Sequence, residues 1–349
     1  MLKNIHRQLG LWLGFILLLL CASGSILLFK NPLLQWQYPQ LDTPLVTDLA
    51  LLGRSLDQLT QQDYAFVRLP QPDRPWLELS RHDGTLEYRS ADGRLLLSRA
   101  PFCDWIDWNY QFHLYLLVKP LKHQLPGVVG ILSLLLLATG LASNWPRRFR
   151  AQWLRLPFAQ SKLQQYRQWH FLLGLFSLPL LVWVVLTGTA MSYHSAVQQA
   201  LSLVFSDQPQ PSPAVPPQSA VALSQSQWQL WLPKAQQSLP QAKIRLASFR
   251  QSDTAPVSFR LQQAAEWHPN GRSVVQISAA TAAVLTLQDA TKAATGQRIS
   301  QLIYPLHTAA VGGTFYRWLL AIAGILPLLL WLLGLGWRQR TGKNPAHHP

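Results

Sequence analysis

The chain has 349 residues, of which 49% are hydrophobic and 13% charged; an ordinary soluble domain carries about 25% charged residues. Its formal net charge is +15, which in a soluble protein would suggest nucleic acid. Here all fifteen acids lie between Asp42 and Asp107 or between Asp207 and Asp289, and the acid-free remainder alternates between apolar runs and short basic segments. That pattern sets the orientation of a membrane protein and requires no nucleic acid partner.

In chain order, residues 1–29 form a basic N-terminus (Lys3, Arg7) and a first apolar span, Leu9 to Phe29, too long for the core of a usual signal peptide. Residues 30–112 read as an α+β unit. It has a helix near Leu49–Leu59 and alternating strands near Phe66–Leu69, Trp76–Ser80 and Leu86–Ser90, with turn signals at Asp83-Gly84 and Asp92-Gly93. Residues 113–145 hold the second span, Leu125 to Trp145, and 146–169 a loop with six Lys or Arg and no acid. A third span, Phe171 to Tyr193, lies within 170–194. Residues 195–305 open with a Pro- and Ser-rich linker, Gln208 to Ser219, and continue as a second α+β unit. Its helix lies near Ser226–Leu239 and its strands near Lys243–Phe249, Val257–Gln262 and Val274–Ser278. The fourth span, Tyr316 to Trp337, closes 306–337, and 338–349 is a basic tail.

Each span is long enough to cross about 30 Å of hydrocarbon. Lys- and Arg-rich flanks remain in the cytoplasm, so both termini and the 146–169 loop are expected inside and the two α+β units outside. The expected fold is an all-α four-helix membrane core carrying two external α+β domains. Neither Cys21 nor Cys103 suggests a disulfide framework or a zinc site. No dinucleotide, Walker, zinc-protease or nucleophile-elbow motif appears.

An internal repeat adds the chemistry. Aligning His6-Arg-Gln-Leu-Gly10 with His170-Phe-Leu-Leu-Gly174 brings Ser23-Gly24-Ser25 onto Thr187-Gly188-Thr189. His113 and His307 are each followed 17 residues later by Gly-Ile-Leu, and ten residues beyond that by Gly140-Leu141 and Gly334-Leu335. The chain thus reads as two copies of a two-span unit, and the alignment selects four of ten histidines. His123 falls opposite Arg317 and His194 opposite Lys30, which makes them the substitutes if the alignment misassigns a ligand. By topology His6 and His170 share the inner side, and His113 and His307 the outer. Ionisable residues near membrane depth point to function, and paired imidazoles on facing helices are the protein half of an axially ligated haem site. Gly10, Gly174, Gly312 and Gly313 would let a flat macrocycle approach the backbone. The Ser/Thr-Gly-Ser/Thr triplets read as helix-packing sites.

The stretches His6-Arg-Gln-Leu-Gly, Phe112-His113-Leu-Tyr-Leu-Leu, Trp169-His170-Phe-Leu-Leu-Gly-Leu-Phe-Ser-Leu-Pro and Leu302-Ile-Tyr-Pro-Leu-His307, the last running on to Gly312-Gly313, carry a resemblance. In that order and spacing the chain resembles the PepSY-associated transmembrane family of bacterial inner-membrane proteins, also known as iron-regulated membrane proteins. Val274 to Leu285 looks like the strand pair of a PepSY domain, with Thr281-Ala282 where the family usually has Thr-Gly. The resemblance implies a multi-pass protein of the bacterial cytoplasmic membrane with two PepSY-like external domains. It further implies two b-type haems, one on His6 and His170 and one on His113 and His307. Electrons from a cytoplasmic or quinol donor would reduce an external ferric chelate such as a ferric siderophore, releasing Fe(II) for uptake. Two other functions fit the same sequence: a general electron-transfer subunit, or a non-enzymatic membrane anchor whose PepSY domains bind a peptide or protein.

Overall fold

A computed structural model describes residues 2–121, 124–144, 154, 156–158, 160–208 and 214–342. In chain order, helix α1 (Leu2–Leu27) leads into α2 (Lys30–Gln37) and α3 (Leu49–Asp57), then strands β1 (Tyr64–Arg68), β2 (Leu77–Arg81), β3 (Leu86–Arg89) and β4 (Leu95–Arg99). Helices α4 (Trp105–Tyr115), α5 (Gln124–Asn144), α6 (Lys162–Ser192), α7 (His194–Val204) and α8 (Trp228–Ser238) follow. Strands β5 (Lys243–Ser248), β6 (Val257–Gln262), β7 (Ser273–Ile277) and β8 (Val284–Gln288) precede α9 (Thr295–His307) and α10 (Gly313–Gly342). The elements therefore recur in one order in both halves: long helix, short helix, helix, four strands, histidine-bearing helix, long helix.

These elements form two compact units. The first comprises residues 1–28, 109–194 and 306–349. Its four long helices, α1, α5, α6 and α10, are each apolar and long enough to cross a membrane. Each packs on two others in the cyclic order α1, α5, α6, α10, so α1 and α6 are diagonal. Small residues permit the close approaches, as membrane helix packing requires. The Ser25 hydroxyl donates to the Ala321 carbonyl at 2.9 Å, joining α1 to α10. A Cβ at Gly127 would stand 2.6 Å from the Tyr193 ring. Of the basic loop, Arg147, Arg148, Arg150 and Arg155 lie outside the described residues, as do Lys122 and His123.

The second unit comprises Phe29–Trp108 and Ser195–Pro305. It corrects the expectation of two separate α+β domains. All eight strands form a single antiparallel sheet in the order β4-β3-β2-β1-β5-β6-β7-β8. The join is β1 to β5, with Phe66 opposite Ser248, Val67 opposite Ala247 and Arg68 opposite Leu246. Each half alone would leave its first strand as an unpaired edge, and mutual pairing removes both edges. One face of the sheet is apolar by alternation and packs on α3 and α8 through Leu52, Leu56, Trp228, Trp231, Val67, Leu79, Phe259 and Val275. Those two helices meet closely: a Cβ on Gly53 would stand 2.6 Å from the Gln229 backbone. The Asp57 carboxylate closing α3 accepts from Trp228 N–H at 2.6 Å and Gln229 N–H at 3.2 Å, capping the start of α8.

Candidate functional site

His6 is on the first turns of α1 and His170 on α6, the diagonal pair of the bundle. Their ring centroids lie 6.3 Å apart with planes inclined at 73°. His6 Nδ1–H donates to the Leu136 carbonyl of α5 at 3.2 Å, and His170 Nδ1–H to the Leu330 carbonyl of α10 at 2.9 Å. The second pair is built the same way. His113 on α4 and His307 on α9 have ring centroids 6.2 Å apart and planes at 28°. His113 Nδ1–H is shared between the Leu20 carbonyl at 3.1 Å and the Ser23 hydroxyl oxygen at 2.9 Å. His307 Nδ1–H donates to the Thr187 hydroxyl at 3.0 Å, which itself donates to the Trp183 carbonyl at 2.8 Å.

Every Nδ1 is thus tied down as a donor, which leaves Nε2 as the lone-pair nitrogen of each neutral imidazole. None of the four Nε2 atoms makes a hydrogen bond among the described residues, and each ring is only half-buried. A 6.3 Å separation lies within the range of edge-on ring contact. It also matches one metal ion between two imidazoles. A bond of about 2.0 Å to each nitrogen, plus about 1.1 Å from nitrogen to ring centre given C–N lengths near 1.33 Å, puts the centroids about 6.2 Å apart.

The seat under each ring is one motif used four times. A backbone carbonyl (Leu136, Leu20, Leu330 and, for His307, Val184) receives, or lies beside, Nδ1, and the glycine four residues later in the same span lies under Cε1. A Cβ at Gly140 would stand 2.8 Å from His6 Cε1, and at Gly24 2.8 Å from His113 Cε1. At Gly188 it would stand 3.0 Å from His307 Cε1, and at Gly334 3.5 Å from His170 Cε1. Each span therefore gives one glycine to one histidine. Four residues is one helical turn, so carbonyl and glycine line the same groove of the helix.

Residues 3–340 match the family model described as the PepSY-associated TM region. The chain belongs to that family. No curated protein matches it. Within this PepSY-associated chain the two imidazole pairs sit at opposite ends of the bundle. His6 and Gly24 are 18 residues apart on α1, as are His170 and Gly188 on α6; at 1.5 Å per residue that is about 27 Å. Among the described residues no cluster of three or more His, Cys, Asp or Glu could hold a metal.

The residues named from sequence are disposed as follows. His6 meets His170 and His113 meets His307, as the repeat pairs them. His194 opens α7, and His123 lies outside the described residues. Gly10 and Gly174 face Leu136 and Leu330 side chains at 3.8 and 3.7 Å. Gly312 and Gly313 take φ of 77° and 64° and turn α9 into α10. The sequence reading does not give the seat glycines and the hydroxyls of Ser23 and Thr187 their contacts with the four rings. The signal was in the sequence, since Ser23-Gly24-Ser25, Thr187-Gly188-Thr189, Gly140 and Gly334 all recur in register. Two polar anchors support the His113–His307 pair. Asn109 donates to the Ser23 carbonyl at 3.0 Å, and the Tyr316 hydroxyl to the Leu306 carbonyl at 2.8 Å.

Proposed function

We propose that this protein is a di-haem b-type reductase of the bacterial cytoplasmic membrane. It carries electrons from a cytoplasmic or quinol donor to a ferric chelate of the siderophore class on the opposite side. The observation that carries this reading is the two imidazole pairs at 6.3 and 6.2 Å, each ring fixed through Nδ1 with its Nε2 unbonded. Haem, when bound, supplies a one-electron Fe(III)/Fe(II) couple.

The chain's own residues do the rest. His6 and His170 would hold one haem, His113 and His307 the other. The carbonyls of Leu136, Leu20 and Leu330 and the hydroxyls of Ser23 and Thr187 fix each imidazole's tautomer and raise its basicity as a ligand. The seat glycines allow each ring to lie against a helix backbone. The about 27 Å between the pairs is comparable with the hydrocarbon thickness, so each pair serves one face of the membrane. The acid-free basic segments favour termini inside, and with them the His6–His170 pair on the donor side. The recurring element order and the four equivalent seats favour two copies of one two-span unit.

Reduction to Fe(II) loosens the grip of the hard oxygen ligands that hold Fe(III) in a chelate. The test is stopped-flow mixing of dithionite-reduced protein with a panel of ferric siderophores, ferric citrate and iron-free acceptors. Rapid reoxidation by ferric chelates, with appearance of Fe(II), is expected. Reoxidation only by iron-free acceptors would assign the protein to general electron transfer instead.

A further inference from the structure

The face of the sheet turned away from α3 and α8 carries a row of charge. Register sets Glu78 of β2 opposite Arg68 of β1, Arg68 beside Leu246 of β5, Leu246 beside Arg260 of β6, and Arg260 beside Val274 of β7. Their neighbours Val67, Leu79, Ala247, Phe259 and Val275 belong to the apolar core on the other face, so alternation puts the whole row on this one. Strands about 4.8 Å apart place Arg68 and Arg260 about 10 Å apart at Cα, close enough for long side chains to converge. Arg272, two residues before Val274, points the same way by the same period.

The β6–β7 loop carries His268, 5% exposed, with its ring 4.8 Å from that of Tyr304. Burial first, then the charges of Arg272, Arg260 and Arg68, hold this imidazole down at about 3. It is therefore neutral at ordinary pH, and the charges of all three guanidinium groups reach it. Its Nδ1 accepts the Asn270 N–H at 3.2 Å, which makes Nε2–H a donor.

The charges do not cancel locally. Arg68 pairs with Glu78. The Glu266 carboxylate is taken up by the N–H groups of Gln263, Arg272 and Ser273 and by the Ser273 hydroxyl. Among the described residues the side chains of Arg260 and Arg272 make no ion pair and no hydrogen bond, and Arg272 Nε is buried without a partner. Partly buried guanidinium groups without counter-ions are costly, and a bound acceptor would satisfy the unpartnered Arg272 donor.

We infer that Arg260 and Arg272, with Arg68 and the His268 Nε2–H, form a binding site for a polycarboxylate anion. On the electron-transfer reading that anion is the carboxylate periphery of the ferric chelate. Guanidinium forks match planar carboxylates in two-point contacts, and the His268–Tyr304 ring pair supplies an apolar wall beside them.

The experiment is calorimetric titration of the detergent-solubilised full chain with citrate, ferric citrate and inorganic phosphate. Ferric citrate should bind more tightly than phosphate and lose affinity at high salt. Arg260→Ala and Arg272→Ala should each weaken it at least tenfold, and Arg260→Lys should recover part of the loss in a normally folded protein. Exposed His82 is the control, and His82→Ala should bind as the parent does. Unchanged affinity in Arg260→Ala and Arg272→Ala, or phosphate binding as tightly as ferric citrate, would overturn the inference. A haem-free protein that still binds ferric citrate through Arg260 would sink the electron-transfer reading and leave this site standing. A haem-loaded reductase indifferent to both arginines would do the reverse.

Discussion

Replacing Gly140 with alanine puts a methyl carbon 2.8 Å from His6 Cε1. Carbon atoms rest at about 3.5–4.0 Å, so the overlap is roughly 0.7–1.2 Å. The ring can retreat only by giving up its bond from Nδ1 to the Leu136 carbonyl. Overpacking of this kind costs about 1–3 kcal/mol and the lost hydrogen bond about 0.5–1.5 kcal/mol. A combined penalty of about 1.5–4.5 kcal/mol corresponds to a roughly tenfold to more than thousandfold weaker hold on whatever the pair ligates, at about 1.4 kcal/mol per decade. Gly24→Ala, also at 2.8 Å, should do the same to the His113–His307 pair. Gly334→Ala is the internal control, because its methyl would meet His170 at 3.5 Å, an ordinary contact in the same pair as Gly140. The assay is haem retention through gel filtration and the rate of haem transfer to apomyoglobin. Gly140→Ala should lose the haem of the His6–His170 pair while Gly334→Ala keeps it. Equal losses from Gly140→Ala and Gly334→Ala, or none from either, would refute the seat geometry.

Two further outcomes follow from the charges. Burial alone would raise the Glu78 carboxyl, but Arg68, Arg74 and Lys30 outweigh it and hold the group down at about 2. Its contribution is thus complete above about pH 4.5 and is lost as pH falls from there through about 2, measured as loss of sheet signal by circular dichroism. Glu78→Gln leaves three cations facing one another and should cost about 3 kcal/mol or more at neutral pH, read as a lowered melting temperature; an unchanged melting temperature would contradict the burial of this cluster. For topology, a periplasm-active reporter fused after Gly342 should be silent and one inserted near Pro213 active. The opposite pattern would reverse the assignment of the histidine pairs to membrane sides.

Local physics made much of this legible in advance. Four apolar runs give the four long helices, and period-2 alternation gives strands such as Val257–Gln262 at their observed bounds. The register of His6 with His170 and of His113 with His307 gives the two pairs that the structure brings together. What stayed hidden was non-local. Pairing of Phe66 with Ser248 joins residues 182 positions apart, and nothing in either strand announces its partner, so the sheet read as two. The short helices α2, α4, α7 and α9 were also missed, since eight to thirteen residues beside a span blur into its apolar pattern. Glycines 24 and 188 were visible as repeated residues, but small residues in spans serve helix packing so often that a histidine seat does not stand out.

The central claim is tested most directly by counting haem per chain by pyridine haemochrome in purified parent protein and three variants. Two haems in the parent are expected, with one each in His6→Ala, His170→Ala and the His6→Ala/His170→Ala double, because residues that share one site fail to add. A colourless parent from haem-supplied cells, or a double variant that loses both haems when each single loses one, would contradict the account.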